Sequence, residues 1–144
     1  MEIRVFDGVL DPLAEVSEYE QSKSELAGHF GATSIFVGTM RDRNQGGAVS
    51  AMTLEHYPGM TEKYLTRVSE EAAKRWDIMD SLVVHRVGAM LPNDPIVVVA
   101  VWSAHRDDAF KACRYIIDEL KTRAPFWKKE MVDGGERWVS QDSG

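Results

Sequence analysis

Leu120-Lys121-Thr122-Arg123-Ala124-Pro125-Phe126-Trp127-Lys128-Lys129-Glu130 is the stretch in which the chain changes from helix to strand. Proline has no amide hydrogen and forces the residue before it out of helical geometry, so the helix running up to Lys121 is predicted to end near Arg123 and Ala124. Beyond Pro125 the chain should be extended. Alternation along a strand then puts Phe126, Lys128 and Glu130 on one face and Trp127, Lys129 and Met131 on the other. Lys121, at the helix end, sits beside Lys128 and Glu130. Crowded cations raise one another's electrostatic cost, and a lysine that relieves this by losing its proton becomes a nucleophile or base near neutral pH. A second reading is purely structural, because lysine and arginine in a last helical turn complement the helix dipole.

Working back from this stretch, Ser103 is read as the cap of a long helix, about 103–123. Its apolar stripe is Ala109, Phe110, Cys113, Ile116, Ile117 and Leu120, the spacing of a face packed on a sheet. Working forward, Asp133-Gly134-Gly135 reads as a turn into Glu136 to Val139, which makes a carboxy-terminal hairpin. Pro95 to Trp102 is apolar enough for a central strand, and Ile78 to Val87 is its neighbour across the turn residues 92–95. Val49 to Tyr57 is another strand, followed by a helix with Met60, Tyr64, Val68, Ala72 and Trp76 on one side. Thr33 to Met40 reads as a buried strand ending in Arg41, and the polar, glycine-rich stretch 42–47 as a mobile loop. At the amino end Glu2 to Phe6 alternates as a strand does. Asp11 and Pro12 then suit the cap and first position of a helix, with one or two modest helices up to His29.

Strands and helices mix without strict alternation, repeats or a linker, so residues 1–144 are read as one α+β domain with a mainly antiparallel sheet. A chain of 144 residues, 44% hydrophobic, is long enough for a sizeable core. No apolar run reaches membrane-spanning length and the amino terminus lacks the layout of a secretory signal, from which no membrane association and a cytoplasmic location are expected. One cysteine excludes an internal disulfide, and the four histidines have no ligand spacing, so no structural metal is expected. The net charge of −6 disfavours nucleic acid as a partner. Yet Arg41, Arg43, Arg106, Lys121, Arg123, Lys128 and Lys129 make three short basic segments. A local anion site on an acidic protein fits this distribution.

His105 and Arg106 follow Ser103 at a helix amino end, where free amides favour anions. A cation there opposes the helix dipole by about 0.3 to 1 kcal/mol, a local conflict that hints at anion binding. A solvated arginine paired with Asp107 and Asp108 explains it equally well. Arg41 closes a strand and opens the glycine-rich stretch, within reach of a phosphate. Gly46-Gly47 lacks the lysine and hydroxyl residue of a phosphate-binding loop. His56 and His85 lie inside strands and read as structural, and Cys113 reads as core.

Taken together, Phe36-Val37-Gly38-Thr39-Met40-Arg41, Leu54-Glu55-His56-Tyr57-Pro58-Gly59-Met60-Thr61-Glu62-Lys63, His85-Arg86-Val87-Gly88, Ser103-Ala104-His105-Arg106 and Leu120 to Glu130 resemble the large, catalytic subunit of molybdopterin synthase. The match runs in family order from Thr33 to Val139 and is loose before it. The resemblance implies an α/β hammerhead fold and a sulfurtransferase reaction. Two sulfurs are added to cyclic pyranopterin monophosphate, giving the dithiolene of molybdopterin in molybdenum cofactor biosynthesis, with no cofactor in the enzyme. Sulfur arrives as a thiocarboxylate on the terminal glycine of a small ubiquitin-like subunit, within a heterotetramer built around a homodimer of large subunits. Carried over residue by residue, the implied substrate site comprises Thr39, Met40, Arg41, His105, Arg106, Lys121, Lys128, Lys129 and Glu130, with Thr39 contributing backbone. Lys121 is the main catalytic group in this reading, Lys128 stabilises developing negative charge, and Glu130 orients both lysines. A non-catalytic scaffold or regulator binding a phosphorylated small molecule or a ubiquitin-like tail is the alternative.

Two further expectations concern geometry and sulfur. Arg106 and Lys121 lie fifteen residues apart, roughly 22 Å along one continuous helix, against about 10 Å for a small-molecule pocket. A pocket straddling a two-fold homodimer interface would bring them together. Cys113, facing inward, is expected to supply no sulfur.

Overall fold

The apolar run at 95–102 is buried on both faces because the sheet around it is covered on both sides. The computed structural model describes residues 1–139. Its elements are β1 (Glu2–Asp7), α1 (Pro12–Ser22), a short 3-10 turn (Ser24–Leu26), β2 (Ala32–Thr39), β3 (Arg43–Asn44), β4 (Gly47–His56), α2 (Met60–Arg75), β5 (Ile78–Met90), β6 (Pro95–Ser103), α3 (Arg106–Arg123), β7 (Phe126–Val132) and β8 (Gly135–Val139). The strand order is β2-β6-β5-β4-β7-β8, with β1 beside β5 and β3 beside β4. Every pairing is antiparallel except β1 with β5. This is an α+β domain with a mainly antiparallel sheet and a carboxy-terminal hairpin.

Alternate residues of β5 and β6 feed two cores. Val83, Val97, Val99 and Val101 join the inward faces of α2 and α3, including Leu65, Val68, Ala112, Cys113, Ile116 and Leu120. Leu82, Val84, Val98, Ala100 and Trp102 face the other way, onto Val16 and Tyr19 of α1 and onto Leu10 and Leu26. A strand buried on both faces has no need of polar alternation, which is why the sequence there is continuously apolar. Among the described residues no helix is long and apolar enough to cross a membrane.

With β6 along one edge, β5 divides its other edge between two partners. Leu82 to Val87 pair with β1, and Gly88 to Met90 pair with β4. The changeover falls at Gly88, whose φ of 92° lies in the left-handed region. A Cβ there would sit 2.5 Å from the Asp7 carboxylate, so only glycine fits the corner.

The sequence expectations meet five corrections. Ser103 is the last residue of β6 rather than a helix cap: its hydroxyl donates to the Asp77 carbonyl, and His105 occupies the cap position without a side-chain cap bond. Phe110 leaves the α3 stripe and is 64% exposed. The buried side of α2 is Thr61, Leu65, Val68, Ser69 and Ala72, and Met60 is exposed. Strand β2 lies at the sheet edge and is only half-buried, with Ile35 exposed.

The fifth correction bears on the site. Residues 42–47 contain a hairpin rather than a loop: Arg43 pairs with Ala48 and Asn44 with Gly47. Gln45 and Gly46 form its two-residue turn, both with positive φ (53° and 78°), the conformation whose twist matches that of paired strands. Asp11 and Pro12 behave as read, with the Asp11 carboxylate accepting from the Ala14 amide at 3.3 Å.

Candidate active site

Helix α3 stops at Arg123, Ala124 is extended, and β7 begins at Phe126, as Pro125 demands. The alternation that follows divides β7 cleanly. Phe126, Lys128 and Glu130 line a cavity of about 400 Å³, within the usual range of small-molecule sites. Lys121 enters it from the last turn of α3, and Thr39, Met40 and Arg41 border it from the end of β2. Arg43 and Asn44 of the hairpin form a further part of the wall, and His85 of β5 another. Cross-strand register explains the floor, since Met52 and Leu54 of β4 stand opposite Glu130 and Lys128.

Lys129 lies on the other face of β7. Its ammonium pairs with Glu136 at 3.3 Å and covers the Trp138 ring, and Trp127 beside it donates to Glu55. His105 and Arg106 are exposed at the start of α3, whereas the cavity takes Lys121 from its end. Of the nine residues picked from sequence, six therefore surround one cavity, and the three exceptions are Lys129, His105 and Arg106.

The electrostatics follow from crowding. Burial pushes the Lys128 ammonium below the ordinary lysine range, the positive charge of Lys121 pushes it further, and Glu130 partly opposes both. Glu130 is almost fully buried, and its carboxylate accepts from Asn44 Nδ2 at 2.9 Å and from Arg137 Nη2 at 3.0 Å. It acts on Lys128 through its field, while its hydrogen bonds hold the hairpin and β8.

His85, read as structural, is structural and also a cavity residue. Its ring stacks on Phe126 with centroids 4.1 Å apart, and Nδ1 donates to the Arg86 carbonyl at 2.8 Å. Burial lowers its pKa to about 3, the hydrogen bond to Arg86 opposes this, and the charges of Lys121 and His56 add to it. The unfolded chain takes up this proton near pH 6.5, the folded one only near 3, so stability must fall as the pH drops between those values. The cost is up to about 1.4 kcal/mol per pH unit. Urea midpoints at fixed protein concentration should therefore decline from pH 6.5 to 5. The decline should be shallower by one proton in His85→Gln; equal slopes in the two proteins would rule out His85 as its source.

Sequence reasoning passed over His85, Asn44 and Arg137. For Arg137 a signal existed: a two-residue turn at Asp133 and Gly134 sets Glu130 opposite Arg137, the register observed. For Asn44 the deciding contact is with a residue 86 positions away.

A family model described as MoaE protein matches residues 11–123. The chain belongs to the MoaE protein family. Among MoaE relatives, the molybdopterin synthase catalytic subunit of Ralstonia nicotianae is 50% identical over 137 residues, covering 95% of this chain and 76% of the relative. The crystal structure of molybdopterin synthase from Staphylococcus aureus superposes with a TM-score of 0.84 at 28% identity, covering 96% of this chain and 98% of the other. A protein-protein complex of subunits 1 and 2 of molybdopterin-converting factor from Helicobacter pylori shares the fold, with a TM-score of 0.79 at 18% identity over 98% of this chain and 92% of that one.

Proposed function

We propose that this chain is the catalytic subunit of a molybdopterin synthase, a cytoplasmic sulfurtransferase that converts cyclic pyranopterin monophosphate to the molybdopterin dithiolene. The observation that carries the reading is the gathering of Arg41, Lys121, Lys128 and Glu130 around one cavity in a chain of this family. A phosphate and a polar pterin need forked cationic donors, which Arg41 and Arg43 supply at the cavity wall. The terminal thiocarboxylate of a small ubiquitin-like subunit brings in the sulfur, and its extended tail fits beside the substrate. Association with such a subunit draws support from the two-subunit complex of the Helicobacter pylori protein.

Lys121 serves as general acid or base, or bonds transiently to the partner's terminal carbonyl. Lys128 stabilises negative charge as it develops. Thr39 and Met40 shape the wall. His105 and Arg106 contribute from the neighbouring subunit of a homodimer within a heterotetramer, a reading supported by their place at the far end of an 18-residue helix. Lys129 acts from outside the cavity, holding the hairpin that carries Glu130.

The test is reconstitution. Pure protein, thiocarboxylated small subunit and cyclic precursor should yield dithiolene product. Cys113→Ala should keep most of that activity, because Cys113 is buried with its thiol directed at the Val99 carbonyl and burial raises its pKa. Binding of both components without product would favour the scaffold reading instead.

A further inference from the structure

The Glu130 carboxylate is held from two directions by residues that bring the sheet's last hairpin and the β3–β4 hairpin together. Arg137 of β8 donates to Oε1 through Nε at 3.2 Å and Nη2 at 3.0 Å, and Asn44 donates to Oε2 at 2.9 Å. Arg137 Nη2 also donates to the Asn44 carbonyl at 3.0 Å, closing a ring of three residues. A carboxylate this buried is costly unless its charge is paired and its lone pairs are used, and here both conditions are met. Breaking the ring would take these side-chain ties from Asn44, which stays paired with Gly47 in the hairpin, and so loosen the hold on the segment that carries Arg41 and Arg43 to the cavity.

The charge arithmetic matters as much as the geometry. Lys128 faces Lys121 from α3, His85 from β5, Arg41 and Arg43 from the hairpin side, and Glu130 on its own strand. Without Arg137 the full field of Glu130 would fall on Lys128 and hold its proton more tightly. Burial first and the charge of Lys121 second hold Lys128 below the ordinary lysine range against the opposing charge of Glu130, and the Arg137 cation bonded to Glu130 offsets part of that opposition.

We propose that Arg137 and Asn44 are positioning residues of this site, which act through Glu130 to fix the β3–β4 hairpin as a cavity wall and to limit the negative charge that Lys128 feels. The inference rests on the reading of the cavity as the place of sulfur transfer. Neither residue need touch substrate.

The experiment measures kcat, KM for the cyclic precursor and the pH profile with thiocarboxylated partner, for wild type, Arg137→Met, Arg137→Lys and Asn44→Ala. Turnover by wild type establishes the underlying reading, and its absence would refute that reading before any variant is compared. Given wild-type turnover, Arg137→Met should lose about 10- to 100-fold in kcat/KM, the scale of a charged hydrogen bond. Its alkaline limb should move to higher pH, because Lys128 stays charged longer. Arg137→Lys should restore the position of that limb. Asn44→Ala, on an edge hairpin outside both cores, should raise KM about 10-fold and leave kcat within about 3-fold. An Arg137→Met enzyme with wild-type kcat/KM, or one weakened only in proportion to a lower Tm with an unmoved pH limb, would overturn the proposal. So would an unchanged KM in Asn44→Ala, which also decides the matter if Arg137→Met does not fold.

Discussion

Replacing Lys121 with alanine should cut product formation by about 10³-fold or more, within the range expected for loss of a positioned acid or base, while the small subunit still binds. Lys121 reaches the cavity from the last turn of α3, where Leu120 is buried and the helix end is pinned by Pro125, so alanine removes the amine and leaves the backbone in place. Docking of a folded partner is spread over a wide surface, on which one amine inside a cavity carries a small share. Single-turnover product formation and partner affinity, measured on the same preparation, separate the two effects. Turnover within a few-fold of wild type would remove Lys121 from its role. Loss of partner binding in step with turnover would move the role from chemistry to docking. Lys128→Ala should be weaker than wild type as well, because it takes away the second cation that Lys121 faces.

Mixing Arg106→Ala and Lys121→Ala subunits should restore activity that neither variant has alone. Helix α3 runs without a break from Arg106 to Arg123, so the two side chains start roughly 22 Å apart, and the cavity collects only Lys121. In a two-fold dimer the Arg106 end of one helix can approach the Lys121 end of the other. A mixed dimer then holds one complete site and one lacking both groups. Random pairing makes half the dimers mixed, so about a quarter of wild-type activity should return. Once mixed dimers are shown to form, for example by mass spectrometry of the native assembly, failure to recover activity would exclude a pocket shared between subunits.

What the sequence by itself determined is what depends on near neighbours. Pro125 ended α3 and started β7, and a period of two put Phe126, Lys128 and Glu130 on one face before any tertiary contact was known. Asp11 and Pro12 opened α1 for similarly local reasons, and the continuous apolar run at 95–102 required a strand covered on both sides. Helical spacing read the α3 face correctly at Ala109, Cys113, Ile116, Ile117 and Leu120. It misplaced Phe110, because periodicity gives the direction of a side chain and not the extent of the layer beneath it.

Only the tertiary structure decided the rest, and in each case a distant partner did so. Ser103 looks like a helix cap within its own neighbourhood, but its hydroxyl is taken by the Asp77 carbonyl, 26 positions back. Stretch 42–47 has the composition of a loop. It folds as a hairpin with Asn44 held by Glu130 and Arg137, 86 and 93 positions on. His85 lines the cavity beside Phe126, a residue 41 positions on, whose ring stacks against it. Backbone sterics and side-chain periodicity act over a few residues and can be read along the chain, whereas hydrogen bonds and charges act across space and find their partners only once the sheet has brought them together.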